Sequence, residues 1–266
     1  MSTSARSGRP LWSAHLSTLF QEHDFAERPR AAAAAGFTHV ESWWPGSRAG
    51  EWARAVARAG LRVSCLNADG GDLAAGDRGF LNVPSRRDEA LAAVAAAVNA
   101  VSALGGGVVN VLVGRAPATG MRSRELDTAR GVLRECAGHA AACGVTLVVE
   151  HLNERDIPGS LLPTPEAAAR FVASLDTPSV RLLYDAYHAA MAGLDPVRDV
   201  HRYGHLIGHA QYADAPGRGA PGTGEVDLEA FVASLGDAGY GGPVGLEFSP
   251  RGRTVDALGF MRPPRP

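Results

Sequence analysis

The chain has 266 residues, 45% hydrophobic and 20% charged, with a formal net charge of -2; this suits one large globular domain or two small ones and disfavours nucleic acid or an anionic membrane surface as a partner. No apolar run approaches the roughly 20 residues needed to span a bilayer and the amino terminus lacks the apolar core of a signal peptide, so no membrane partner and cytoplasmic residence are expected. All 26 basic residues are arginine, which excludes Schiff-base chemistry, pyridoxal phosphate attachment and a phosphate-loop lysine, and leaves acids, histidines, arginines or a metal to do any chemistry.

Residues 1–10 are a Ser/Arg-rich tail without periodicity and residues 262–266 (RPPRP) a proline-rich end; both are expected to fray, leaving residues 11–261 as the folded domain. Within it, short apolar runs that read as strands fall at residues 11–16, 38–43, 62–66, 108–113, 146–150, 180–185, 207–211 and 243–247. Helical spacing separates them, for example Leu91, Val94, Val98 and Val101, and later Leu228, Phe231, Val232 and Leu235. Thr164 before Pro165 and Asp227 before Leu228 read as helix starts, whereas Gly36, Gly60, Gly144 and Gly236 read as stops. Cys65, Cys136 and Cys143 are scattered and odd in number, so neither a disulfide framework nor a zinc knuckle is indicated.

Eightfold alternation of strand and helix without a composition break predicts an α/β fold, a single-domain (β/α)8 TIM barrel, with an open Rossmann-like sheet as runner-up. The run GRGAPG, from Gly217 to Gly222, spells a dinucleotide fingerprint, but Pro221 and further glycines separate it from the helix after Asp227, so it is read as a loop.

The last four strands share one feature: each drives a buried run into an oxygen-bearing side chain, Glu150, Asp185, Gln211 and Glu247. As parallel neighbours they converge on one rim, where ligands bind in α/β proteins. Three carboxylates crowded there repel and protonate unless a cation sits between them, and an all-oxygen donor set suits a hard ion, Mg2+ or Mn2+.

The runs SAHLSTLF, GDLAAGDRG, LVGRAP, DIPG, YDAYH and GRGAPGTGE, in that order over nearly the whole chain, resemble hydroxypyruvate isomerase, a family within the xylose-isomerase-like barrels that also include ketose 3-epimerases. The resemblance implies a TIM barrel, a divalent metal held by Glu150, Asp185, Gln211 and Glu247, and Glu150 and Glu247 as acid and base. It also implies a small hydroxy-carbonyl substrate whose carbonyl moves between adjacent carbons through an enediolate, hydroxypyruvate to tartronate semialdehyde first. His188 is then a partner for a substrate oxygen, and the alternative is a packed histidine under a loop. Arg218 is a candidate grip on a substrate carboxylate or oxygen, and Asn67 matches the family pattern. Glu41 either orients the site through hydrogen bonds or caps the next helix, and Trp43 and Trp44 either wall the pocket or pack.

Three positions depart from the pattern: asparagine is expected at His15, histidine at Leu66 and proline at His151. Leu66 is expected to make the pocket more apolar. Epimerisation or isomerisation of a longer ketose or keto acid is the nearest alternative. Metal-assisted phosphoester hydrolysis is disfavoured because it calls for more histidine ligands and a basic groove, and a non-catalytic binding role because both glutamates are kept. Homo-oligomerisation is left open.

Overall fold

The computed structural model describes residues 10–116 and 122–261. The expected tails, apart from Pro10, and Pro117 of the LVGRAP run lie outside the described residues. The strands are β1 (Trp12–His15), β2 (His39–Ser42), β3 (Arg62–Asn67), β4 (Val108–Asn110), β5 (Thr146–Glu150), β6 (Val180–Asp185), β7 (Ile207–Tyr212) and β8 (Val244–Leu246). They pair in chain order, all parallel, and β8 closes onto β1. Closure removes both sheet edges and with them the Rossmann-like alternative.

The helices are α1 (Arg28–Ala34), α2 (Ala49–Arg58), α3 (Arg87–Ala103), α4 (Arg122–Ala142), α5 (Pro165–Ala173), α6 (Ala186–Met191), α7 (Pro196–Tyr203) and α8 (Leu228–Asp237). The expected alternation is uneven at its end: two α-helices follow β6, and β8 is followed among the described residues only by 3₁₀ turns at Thr254–Ala257 and Gly259–Met261. Thr164 caps α5 by accepting from the Ala167 N–H, and Asp227 caps α8 by accepting from Ala230. Gly36, Gly60 and Gly144 take positive φ after their helices. Gly236 does not stop α8: it lies inside the helix, and Gly239, at φ 82, makes the turn.

Side-chain alternation along the strands divides the core in two. Leu147 and Val149 of β5, Leu182 and Tyr184 of β6, and Ala210 and Tyr212 of β7 face outward into the large apolar layer beneath the helices. Cys65, Val148 and Leu183 form a separate cluster inside the barrel. A register shift between Val40 and Glu41 inserts Ser64 as an extra residue in β3, so that Val63 faces Val40 but Cys65 faces Glu41. Leu66 consequently belongs to the outer layer, fully buried. The expectation that it makes the pocket more apolar is corrected, because it packs between strands and helices.

Candidate functional site

The strand ends bring Glu150, Asp185, Gln211 and Glu247 together at one mouth of the barrel, each at most 7% exposed. Glu150 Oε2 accepts from Asn110 Nδ2 at 2.7 Å, while Oε1 lies 3.7 Å from His188 Nε2. Asp185 Oδ1 accepts from the Tyr187 N–H at 2.8 Å, capping α6, and its Oδ2 has no hydrogen-bond partner among the described residues. Gln211 donates through Nε2 to Glu41 Oε1 at 2.8 Å, and its Oε1 is likewise buried without a partner. Glu247 Oε1 receives Trp43 Nε1 at 3.1 Å and Arg218 Nη2 at 2.8 Å.

Electrostatics follow from that crowding. Burial, then the charges of Glu247 and Asp185, push the Glu150 carboxyl well above the carboxylate range. Burial also raises Asp185, to about 6, with Arg218 opposing the rise and Glu247 adding to it. Burial works against the Arg218 charge, but Glu247, Asp185 and Glu150 more than offset it, so the guanidinium stays protonated. Burial and the neighbouring Arg218 hold His188 well below its usual range, hence neutral.

The sequence runs flanking the rim fix these side chains. In DIPG and the residues before it, Asn153 and Asp156 lock each other: Asn153 Nδ2 donates to Asp156 Oδ2 and Asn153 Oδ1 accepts from the Asp156 N–H, each at 3.0 Å. The same Asn153 Nδ2 donates to His188 Nδ1 at 2.6 Å. With Nδ1 accepting, the neutral ring carries its proton on Nε2, which faces Glu150, Asp185 and Arg218. Asp214 ties down the glycine-rich loop by accepting from the N–H groups of Ala215, Gly222, Gly224 and Val226. That loop contains no helix and presents Arg218, at φ 51, over the Tyr187 ring with its Nη2 3.5 Å from Asp185.

The remaining expected residues fall as follows. Asn67 ends β3 beside Asn110, which ends β4, and is 8% exposed. Glu41 does not cap a helix: its carboxylate is buried and takes hydrogen bonds from His209 Nε2 at 2.7 Å and from Gln211. Burial opposes its ionisation, yet His209 brings the Glu41 pKa below the ordinary value. Trp43 stands at the rim, 38% exposed, against His15, whereas Trp44 packs on the apolar layer. His151 is buried behind the strand ends, accepts from the Asp185 N–H at 3.3 Å and is pushed down by burial to about 3.

His15, Asn110, Asn153 and His209 join the site without having been singled out as its members. Asn110 obeys the same rule as the four rim residues, a polar side chain at a strand end, and His209 lies two residues before Gln211 on the same face of β7. His15, 1% exposed, has both ring nitrogens unpartnered and lies 3.8 Å from Glu247 Oε2.

Among the described residues, two groups of three side chains bring one potential ligand atom each within 4.8 Å of one another: Glu150 with Asp185 and His188, and His15 with Glu41 and Glu247. In the second, Glu41 is already committed to His209 and Gln211. In the first, Asp185 Oδ2 is unpartnered, and Gln211, paired with Asp185 in the strand register, adds an unpartnered Oε1 beside the group; these oxygens fit a hard divalent cation, whereas the expected ligand Glu247 falls in the second group.

The model of the family described as xylose isomerase-like TIM barrel matches residues 29–263. Among curated proteins, the chain is 33% identical to 2-oxo-tetronate isomerase of Cupriavidus necator (strain ATCC 17699 / DSM 428 / KCTC 22496 / NCIMB 10442 / H16 / Stanier 337), over 96% of this chain and 98% of that one. It is 34% identical to hydroxypyruvate isomerase of Escherichia coli (strain K12), over 96% and 99%. A crystal structure described as AP endonuclease, family 2, from Brucella melitensis superposes with a TM-score of 0.90 at 33% identity, covering 97% of this chain and all of that one. The chain therefore belongs to the xylose isomerase-like TIM barrel family, together with these hydroxypyruvate and 2-oxo-tetronate isomerases.

Proposed function

We propose that the chain is an isomerase that moves a carbonyl between adjacent carbons of a small hydroxy-carbonyl acid, hydroxypyruvate to tartronate semialdehyde first, with Glu150 and Glu247 transferring the protons. The observation that carries the reading is the pair of glutamates at one barrel mouth with Asp185 between them in chain order, all buried, with the charges of Glu247 and Asp185 helping to raise the Glu150 carboxyl. Support for the substrate class comes from the relatives, whose names pair an isomerase activity with three-carbon and four-carbon oxo acids.

The reaction removes a proton from the carbon next to a carbonyl and returns one to the neighbouring carbon, passing through an enediolate. A carboxylate serves for each transfer, and positioned acid–base groups supply about 10²- to 10⁴-fold each. Neutral His188 presents Nε2–H toward the site while Arg218 Nη1, also a donor, lies 3.3 Å from that nitrogen. Two donors facing one another call for an acceptor, and an oxygen of the substrate fills that need. Arg218 adds a charge-assisted grip on a carboxylate or enediolate oxygen. Trp43 shields Glu247 from water on the open side of the mouth.

Glu150, Asp185, Gln211 and Glu247 would hold the divalent metal, Mg2+ or Mn2+. Once bound, the ion would polarise the substrate carbonyl and ease the build-up of negative charge on the substrate oxygens.

A four-carbon substrate is the second reading, favoured by the 2-oxo-tetronate isomerase relative at 33% identity and by the unpartnered His15 nitrogens beside Glu247, which suit a further hydroxyl group. Carbon-13 NMR of hydroxypyruvate and 2-oxo-tetronate incubated with the Mn2+-supplemented protein tests both. Relocation of the carbonyl signal in one substrate supports that reading. Static spectra for both substrates, with enzyme shown to be folded, reject the isomerase assignment for this class.

A further inference from the structure

Gln211 is an amide, and an amide can meet its surroundings with either of two ends. We propose that Glu41 is the positioning residue that decides the direction: it holds the Gln211 N–H₂ inward and thereby turns the Gln211 carbonyl oxygen toward a divalent cation at the rim. The inference rests on the metal reading given above and deepens it.

Glu41 comes from β2 and Gln211 from β7, strands that do not pair, so their 2.8 Å hydrogen bond crosses the barrel interior. One carboxylate oxygen of Glu41 accepts from Gln211 Nε2, and the other accepts from His209 Nε2 at 2.7 Å. The Ser64 hydroxyl adds a longer bond at 3.4 Å to that second oxygen, and Ser64 in turn meets the Ser13 hydroxyl. A carboxylate so engaged offers only acceptors, and the Gln211 amide must therefore turn its nitrogen to it. The amide oxygen then points away from Glu41, and it is buried with no partner among the described residues. A buried acceptor left empty is costly, and a ligand at that oxygen recovers the cost.

The barrel makes room for this arrangement at Gly245 of β8. A Cβ added there would collide with both Glu41 oxygens, so the carboxylate occupies space that any other residue at that position would fill. Gly245 also pairs with Gln211 in the strand register. The three residues form one unit: a glycine that admits a carboxylate, the carboxylate, and the amide that it orients. Outer groups that aim metal ligands are worth about 10- to 100-fold in affinity.

The test is a swap of hydrogen-bond polarity read by Mn2+ titration calorimetry, with the melting temperature of the metal-free protein as control. In Glu41→Gln the new amide still accepts from His209 but offers N–H₂ to Gln211, which flips and presents its own N–H₂ to the cation. Mn2+ affinity is expected to fall about 10- to 100-fold while the protein remains folded. In the double variant Glu41→Gln/Gln211→Glu the donor sits on β2 and the acceptor on β7, an oxygen again faces the rim, and affinity is expected to return to within a few-fold of wild type. A purely structural role for Glu41 predicts no such rescue. Wild-type affinity in Glu41→Gln, or a folded double variant that binds no better than Glu41→Gln, overturns the positioning role alone. A wild-type protein that takes up no Mn2+ overturns it together with the metal reading.

Discussion

The barrel interior holds two adjoining sets of buried polar groups, and they are finished differently. Around Glu41 every carboxylate oxygen has a donor: His209 and Ser64 on one, Gln211 on the other. Around Glu150, Asp185 and Glu247 the pairing is incomplete, for Asp185 Oδ2, Gln211 Oε1 and both nitrogens of His15 are buried without partners. Burying polar groups without partners is expensive, and a fold that needed only stability would complete both sets alike. The inner set is therefore part of the scaffold, and the rim set is arranged for atoms that arrive from outside. Substitutions in the two sets should accordingly fail in different ways, the rim losing chemistry and the inner set losing stability, with Glu41 the exception because its exchange for glutamine misdirects the Gln211 oxygen at the rim.

The largest expected effect is at the rim. Glu150→Gln and Glu247→Gln each remove a proton carrier while keeping its shape, so turnover should drop by about 10²- to 10⁴-fold with the protein still folded. Steady-state kinetics with thermal melts check this. In the inner set, His209→Ala leaves Glu41 as a buried charge without its partner, and urea denaturation should show a loss of about 3 to 5 kcal/mol. A drop in turnover with stability intact would instead assign His209 to the rim chemistry. Arg218 pairs with Asp185 and Glu247 and, in the proposed function, grips the substrate. Arg218→Ala should raise KM more than it lowers kcat, with a loss in kcat/KM worth about 1.5 to 3 kcal/mol. At the small end, the exposed pair Glu166–Arg170 on α5 has good geometry at 2.7 Å, yet Glu166→Ala should change unfolding free energy by no more than about 0.5 kcal/mol. A larger loss there would weaken the distinction between buried and exposed pairs on which the comparison depends.

The same contrast explains what could be read from the chain. The rim residues were legible because strands β5 to β8 carry apolar runs that end in oxygen-bearing side chains, and the alternation of strands and helices pointed to a barrel. Asn110 was hidden because VVNVLV continues the apolar pattern past the point where β4 stops pairing. Leu66 was misplaced because alternation counted along β3 cannot see the extra residue that the register shift inserts at Ser64. Glu41 and His209 lie 168 positions apart, and only closure of the barrel brings them together; no local spacing announces a hydrogen bond across its interior. Gly236 was misread because a glycine within a helix and one just past it look alike until backbone φ is known.

In the proposed function the side-chain carboxylates of Glu150 and Glu247 carry the migrating proton. Conversion of hydroxypyruvate in deuterated water, followed by proton and deuterium NMR at early times, tests it directly. A proton parked on a carboxylate exchanges with solvent before it is returned, so deuterium should appear at carbon in the product and in recovered substrate, and this incorporation should vanish in Glu150→Gln and Glu247→Gln. Product that retains the original hydrogen in full, formed at a substantial rate by either variant, would contradict the claim and point to direct hydride transfer between the two carbons.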